Sequence, residues 1–257
     1  MGSKEIADFV HHGLSNGYKQ NLLLLSSYEN FAKDIREYLL TVNVAQSLLG
    51  WNRNHDFQIR IEYPILHFYN NAFVESIDQS PDIFTTKIAQ RRTDHSPTNA
   101  LHQKIDIAIV RLENAYIGDQ ERTVIGIELK GPNIKTNDIL DDIRRMARAM
   151  GLTDRISDNS IKFCFSGFII EFDNSKIIDE VVAAKNVQET YVRWESLCRE
   201  LNAEFPALEF SFNHSVIESI PLEMIEELHR ELDSDYAEVA SKTGLVISGL
   251  VEIKRRN

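Results

Sequence analysis

Cysteine and long apolar runs are scarce in this chain. Its 257 residues include only two cysteines, Cys164 and Cys198. Two cysteines cannot form a disulfide framework, and their spacing is not that of metal ligands, so we expect both to be reduced packing residues of a cytoplasmic protein. No run of about 18 apolar residues is present, and the start of the chain lacks the apolar core of a signal peptide, so we expect no membrane partner.

Basic residues are outnumbered as well. The chain has 28 lysines and arginines against 39 aspartates and glutamates, a formal net charge of −11. This charge disfavours indiscriminate binding to a polyanion, although a confined basic strip can still contact phosphates. With 6 prolines, 11 glycines and 43% apolar residues, the composition is that of a globular chain long enough for one domain with additions.

The apolar pattern predicts alternating helices and strands. Apolar residues recur at helical spacing from Tyr28 to Leu49, and Phe57 to Pro64 alternates as a strand with one polar face. Two apolar strands joined by a polar connection come next, followed by a helix that ends at Gly151 and by a further buried strand. These four elements are predicted at Lys104–Val110, Val124–Lys130, Asn137–Met150 and Ile161–Phe172.

The same pattern divides the chain into three parts. We expect an N-terminal helical extension at residues 1–27 and a core at residues 28–173, which includes an insertion without a strong period at residues 67–103. Residues 174–257 are expected to be a C-terminal α/β extension packed on the core. Its predicted elements are helices at residues 177–201 and 222–240 and strands at residues 208–212 and 245–253.

Three charged residues stand on the polar faces of the two central strands. Side chains alternate between the faces of a strand, so apolar residues at alternate positions place Asp106 on the opposite face of the first strand. By the same alternation, Glu128 and Lys130 share one face of the second strand. The apolar positions that define these faces are Ile105, Ile107, Ile109, Ile125, Ile127 and Leu129. Such charges are costly to desolvate unless something uses them, and a divalent metal with a water to activate is a candidate.

The order of these elements carries a resemblance. Helix, strand, strand, strand, helix, strand, with Asp106 on the second strand and Glu128-Leu129-Lys130 on the third, resembles the PD-(D/E)xK nuclease superfamily. The resemblance covers roughly residues 28–173. It implies an α/β protein with a restriction-endonuclease-like αβββαβ core, in which helices flank a mixed sheet. The proline that precedes the family's first aspartate is absent, and Ile105 stands in its place.

The resemblance implies a metal-dependent endonuclease. Its reaction would be phosphodiester hydrolysis in DNA, in preference to RNA, with Mg²⁺ or with Mn²⁺ as a substitute. Asp106, Glu128 and the backbone carbonyl of Leu129 would bind the metal, and Lys130 would position or activate the attacking water. Hard oxygen donors suit Mg²⁺, which needs few carboxylates and keeps several waters. A role in restriction or phage defence is the family association.

The family often adds a glutamate from its first helix, and Glu37 and Glu29 are the candidates here, with Glu37 the more central. Glu62, on the polar face of the first strand, is either a further ligand or a solvated carboxylate. The pair His11-His12 is expected on the surface rather than at a metal.

Basic residues near the motif are candidates for phosphate contacts. They are Lys87, Arg91, Arg92 and Lys104, at the end of the insertion, and Lys135, before the next helix. Arg144, Arg145 and Arg148 are instead predicted to form an exposed helix face paired with Asp141 and Asp142.

Two alternatives stay open. The first is a catalytically silent module that binds nucleic acid or a protein partner, which the acidic balance favours and the intact Asp106, Glu128 and Lys130 disfavour. The second is a homodimer or higher homo-oligomer whose interface lies in the C-terminal part, where amphipathic helices have the same pattern as core helices.

Overall fold

The computed structural model describes residues 2–25, 33–54, 56–72, 103–115, 118–132, 134–151, 159–173, 180–217 and 243–256. The helices are α1 (Ser3–Leu25), α2 (Lys33–Trp51), α3 (Ile65–Asn70), α4 (Thr136–Gly151) and α5 (Glu180–Glu204). The strands are β1 (Gln58–Pro64), β2 (Lys104–Ala115), β3 (Gly118–Lys130), β4 (Phe163–Asp173), β5 (Leu208–Ile217) and β6 (Thr243–Arg255).

The strands form one mixed sheet in the order β1-β2-β3-β4-β6-β5. The β3–β4 pair is parallel, and the other neighbouring pairs are antiparallel. A parallel pair requires a crossover connection, and α4 supplies it between β3 and β4. The predicted class, a mixed sheet flanked by helices, is therefore confirmed.

Helices cover both faces of the sheet. One face packs against α1 and α2 through a cluster that includes Leu14, Val44 and Ile127. The other packs against α3, α4 and α5 through a cluster that includes Phe68 and Ile143. Because the central strands are buried on both faces, their sequences are apolar at almost every position. A charged residue on such a strand is therefore exceptional.

Two close approaches between packed elements require glycine. A Cβ at Gly13 of α1 would lie 2.4 Å from the Cα atom of Val44 in α2, so the two helix backbones meet at this point. A Cβ at Gly126 of β3 would lie 2.6 Å from the ring of Phe68. Phe68 thereby brings α3 directly onto the strand that carries Glu128.

The central hairpin is longer than the sequence predicts. Its arms reach Ala115 on β2 and begin at Gly118 on β3, so the polar connection is itself paired strand. In this extension the backbone groups of the two antiparallel arms pair with each other, as a continuation of the ladder between the buried parts of β2 and β3. The predicted alternation also fails at Ile105, which packs in the cluster of the α3, α4 and α5 face rather than with Ile107.

The predicted insertion at residues 67–103 starts with ordered structure. Helix α3 crosses its boundary, and Phe68 and Ala72 are buried, whereas residues 73–102 lie outside the described ranges. The short apolar run in this helix gives no full helical period, which is why the sequence pattern missed it.

The C-terminal part continues the core sheet. Strand β6 pairs with β4 along its length and carries β5 on its other side. The predicted helix at residues 222–240 lies outside the described ranges. Both cysteines are free and buried, as predicted, and burial raises the pKa of each thiol to about 12. None of the described helices is both long and apolar enough to cross a membrane.

Candidate functional site

Asp106 lies where β2 and β3 separate. Their paired register runs from the hairpin down to Ile107 opposite Ile127, which places Asp106 next to Glu128. The Leu129 amide donates a hydrogen bond of 2.6 Å to Oδ2 of Asp106. At the end of the β2–β3 ladder, the Asp106 carboxylate therefore accepts the hydrogen bond that a backbone carbonyl would otherwise accept. This bond fixes the position of the Asp106 side chain.

The carboxyl groups of Asp106 and Glu128 meet. Burial raises the pKa of Asp106 to about 6, although its hydrogen bonds with Leu129 and Glu128 and the charge of Lys130 act in the opposite direction. Glu128 is only 2% exposed, and burial followed by the charge of Asp106 raises its pKa well above the usual range. Two carboxylates held this close favour either a shared proton or a cation.

Glu37 approaches the same point from α2. Its charge raises the pKa of both Asp106 and Lys130, and its Cγ lies 3.6 Å from the position that a Cβ on Gly131 would take. The Oε1 atom of Glu37 is buried and accepts no hydrogen bond in the described structure. A buried carboxylate oxygen without a partner is costly, so this atom needs an explanation.

Lys130 is held by Asp142 of α4. Its Nζ lies 3.0 Å from Oδ2 of Asp142. Burial alone would lower the pKa of Lys130, but Asp142, Glu128 and Glu37 raise it, and the net shift is upward. Lys130 is therefore an ammonium at neutral pH and can act as a cation or a hydrogen-bond donor.

Arg145, one turn after Asp142 on α4, completes the group. Its Nη2 donates a short hydrogen bond to Oε1 of Glu128 and lies 2.8 Å from Oδ1 of Asp142. Lys130, Asp142, Arg145 and Glu128 therefore form a row of alternating charge. With Asp106 and Glu37, the site holds four carboxylates and two cations, a net charge of −2 when all six groups are ionised.

Asp142 and Arg145 are the residues that the sequence placed wrongly. It predicted an exposed face for them, and Arg144 does pair with Asp141 at 3.8 Å on the outer side of α4. Asp142, however, is only 8% exposed. Asp142 and Arg145 are spaced i, i+3 and directly precede the buried positions Ile143 and Met146, so they lie at the border of the buried face, which the spacing alone does not distinguish from the exposed face.

Other predicted residues lie away from this group. Glu62 has a φ of 54°, in the left-handed region, and its carboxylate pairs with Lys104 at 2.9 Å, so neither residue joins the carboxylates. Lys135 is exposed just before α4. Coordination by the carbonyl of Leu129 stays a prediction. The remaining predicted residues, Glu29, Lys87, Arg91 and Arg92, lie outside the described ranges.

The acidic side chains of this group are not arranged as in a formed metal site. Among the described residues, no three acidic, histidine or cysteine side chains are arranged so that they could hold a metal. Glu128 is engaged by Arg145, which takes one of its oxygens away from Asp106 and Glu37. The donor types nevertheless suit a hard divalent cation, since all the acidic groups offer oxygen.

A second polar cluster joins α1 to the far side of the sheet. Nδ1 of His11 lies 2.7 Å from Oγ of Ser248, and its Nε2 lies 2.5 Å from Oδ1 of Asn213. His11, predicted on the surface, is in fact half-buried, and burial lowers its pKa more than Asn213 and Asp8 raise it. These contacts attach the helix to β5 and β6.

Two surface cavities lie elsewhere. One of about 560 Å³ opens between α1 and α2 beside His12 and Gln46. Another, of about 740 Å³, lies beside Lys162 and Arg256 at the start of β4 and the end of β6. Neither is lined by Asp106, Glu128 or Lys130.

Comparison of the whole chain with protein-family models, with curated proteins and with solved structures found no match to any of them.

Proposed function

We propose that the protein hydrolyses phosphodiester bonds in DNA with the help of Mg²⁺ and that Asp106, Glu128 and Lys130 form the reactive centre. The observation that carries the proposal is the meeting of the Asp106 and Glu128 carboxyl groups at the end of two buried strands, with Lys130 on the same strand as Glu128. Acidic groups are rarely kept in so apolar a setting without a use.

The donor types, which are all carboxylate oxygens, suit a divalent cation. Among the described residues, Oε1 of Glu37 is buried and has no hydrogen-bond partner, so this oxygen is free to bind a cation. The net charge of −2 over the six groups is the charge that one Mg²⁺ would neutralise. Asp106 and Glu128 would hold the ion, with Glu37 as a third candidate ligand. Their side chains would have to rearrange to do so, because no three such groups of the described residues are arranged for a metal. The chemistry supplied by bound Mg²⁺ is activation of a water and neutralisation of charge on the phosphate.

Lys130 and Asp106 have roles in the proposed reaction that do not depend on the chemistry of the metal. Lys130, protonated and held by Asp142, directs an ammonium toward the end of β3, where it can donate hydrogen bonds to a water or a phosphate oxygen. Its high pKa excludes proton abstraction by its neutral amine as the main route at neutral pH. Asp106 is fixed by the Leu129 amide, which pre-organises the first carboxylate.

The element order supports the finer fold assignment within this proposal. Helix α2, strands β1, β2 and β3, helix α4 and strand β4 follow the αβββαβ order of restriction-endonuclease-like proteins, with α3 inserted after β1. Fold alone does not give function, so the proposal depends on the residues of the site. A role in restriction or phage defence follows only from the family association.

A cleavage assay tests the proposal directly. Supercoiled plasmid and single-stranded oligonucleotides would be incubated with the protein and Mg²⁺ or Mn²⁺, with EDTA in parallel. We expect cleavage that EDTA abolishes and that Lys130→Met reduces by about 10²-fold or more, a loss typical of removing one transition-state donor. Lys185→Met, at an exposed lysine of α5, is the matched control and should cleave normally. Full activity in Lys130→Met would contradict the mechanism.

A second candidate function is a silent module that binds nucleic acid or protein without cutting. The observation that favours it is the engagement of Glu128 by Arg145, together with the absence of a ready metal arrangement among the described side chains. DNA binding in a mobility-shift assay, without cleavage under any metal condition, would select this alternative. Mass measurement in solution would test self-association, which stays a prediction.

A further inference from the structure

The contact between Arg145 and Glu128 has a direct consequence for metal binding. We propose that Arg145 is the resident counter-ion of Glu128 in the metal-free protein and that it competes with a divalent cation for this carboxylate. The inference rests on the proposed function, because it concerns the same site. It assigns to Arg145 a regulatory role, in which the helix after the motif sets how readily the site takes up its ion.

Burial makes a counter-ion for Glu128 necessary. The residue is 2% exposed and faces a second carboxyl group, that of Asp106. An ionised carboxylate in this position requires a nearby cation. Arg145 is the cation that donates a hydrogen bond to it, since Lys130 is directed to Asp142 instead.

The way in which Arg145 is bound favours exchange. Ion pairs between arginine and a carboxylate frequently have two parallel hydrogen bonds from two guanidinium nitrogens. In this site one nitrogen, Nη2, serves both Glu128 and Asp142, while the buried Nε has no hydrogen-bond partner in the described structure. The contact with Glu128 is therefore a single bond, which another cation can replace.

Asp142 allows Arg145 to remain in place after such an exchange. Its Oδ1 lies 2.8 Å from Arg145, and its Oδ2 lies 3.0 Å from Lys130. If a metal bound Glu128, Arg145 would keep Asp142 as its acidic partner, and so would Lys130. Lys130 also keeps its position, so the exchange does not disturb the rest of the site.

The alternative is that Arg145 supports metal binding instead of competing with the metal. A basic residue that only orients a ligand carboxylate strengthens metal binding, and its removal weakens that binding. A competitor has the reverse effect, because its removal leaves Glu128 free for the ion. The sign of the change in metal affinity therefore distinguishes the two roles.

Calorimetric titration of Mn²⁺ into EDTA-stripped protein at pH 8 tests the proposal without any cleavage assay. We expect Arg145→Met and Arg145→Gln to bind Mn²⁺ about tenfold more tightly than the natural chain, since a unit charge beside the ion is removed. Arg145→Lys keeps the charge and should bind like the natural chain. Arg144→Met is the matched control, because Arg144 pairs with Asp141 and Glu204 on the outer side of α4, and its affinity should not change.

Thermal unfolding of the same variants supplies the second reading. Without metal, Arg145→Met should unfold at a lower temperature than the natural chain, and Mn²⁺ should raise its unfolding temperature by more. If the natural chain binds Mn²⁺ and both Arg145→Met and Arg145→Gln bind it equally well or more weakly, Arg145 does not compete with the ion. That result would contradict the inference but not the proposed metal site. Absence of Mn²⁺ binding in every variant would overturn the metal site itself and the inference with it.

Discussion

Replacing Asp106 by asparagine should make the metal-free protein more stable. The change removes the negative charge but keeps an oxygen that can accept the hydrogen bond from the Leu129 amide. It also removes the repulsion between this carboxylate and its neighbours Glu128 and Glu37. A residue kept for function at the expense of stability is expected to behave in this way.

The magnitude follows from the pKa of Asp106. Burial is the main cause of its rise from 3.8 to about 6, and a rise of about two in pKa corresponds to about 3 kcal/mol. Because Asp106 is only partly buried, solvent screens part of this effect, and we expect about 2 kcal/mol. The folded chain binds the proton more tightly than the unfolded chain, so ionised Asp106 destabilises the folded state above pH 6. As the pH falls from 6 to 4 the carboxylate is protonated and the destabilisation disappears.

Urea unfolding of the metal-free protein at several pH values measures the difference. Asp106→Asn should exceed the natural chain by about 2 kcal/mol in unfolding free energy at pH 8 and match it near pH 4. Asp141→Asn, at an exposed residue of α4, is the control and should change stability by less than about 0.5 kcal/mol at each pH. A less stable Asp106→Asn protein at pH 8 would refute the reasoning, because the carboxylate would then be a net stabilising group. Added Mg²⁺ should stabilise the natural chain and not the variant.

Two further predictions concern the α1 layer. Gly13→Ala should destabilise the protein by about 1–3 kcal/mol, because the added Cβ would meet the backbone of Val44. Gly50→Ala is the control and should be neutral or slightly stabilising, since the nearest atom to its added Cβ is 3.5 Å away. Thermal unfolding followed by circular dichroism compares the two variants. His11→Gln should be less stable than the natural chain at pH 8, and this difference in unfolding free energy should become smaller as the pH falls below 6.5. Burial lowers the pKa of His11, so the natural folded chain resists protonation and loses stability at low pH, whereas the glutamine variant does not. Urea titrations at pH 8 and pH 5 measure this effect, and an unchanged difference would show that His11 does not resist protonation in the folded state.

Alternation along strands predicted part of the site. It placed Asp106 on the polar face of β2 and Glu128 and Lys130 on the polar face of β3, and the structure brings their charged groups together, although the alternation fails at Ile105. The period of a strand is two, so a single register fixes every side chain. Glu37 was preferred over Glu29 by position, and its carboxylate reaches the group. The nuclease function itself stays a proposal.

Contacts between distant segments could not be predicted in the same way. Asp142 and Arg145 lie at the border between the buried and exposed faces of α4, and charged residues at such a border have the same sequence pattern as ordinary surface charges. Only the packing of α4 on β3 and β4 turns this border toward Glu128. The partners of His11, Asn213 and Ser248, are 202 and 237 residues away in sequence, and a local sequence pattern does not predict contacts over that distance.

The placement of β6 has a consequence for how the chain reaches its native state. This strand lies between β4 and β5, although it follows both in sequence. Until residues 243–255 pair with them, β4 and β5 each have an edge with unpaired backbone N–H and C=O groups. An apolar strand with such an edge can pair with a strand of another molecule. Assembly of the sheet therefore depends on a late, long-range insertion, which slows folding and exposes intermediates to aggregation. A chain shortened before residue 243 is expected to accumulate as insoluble material, even though it contains all six charged residues of the candidate site.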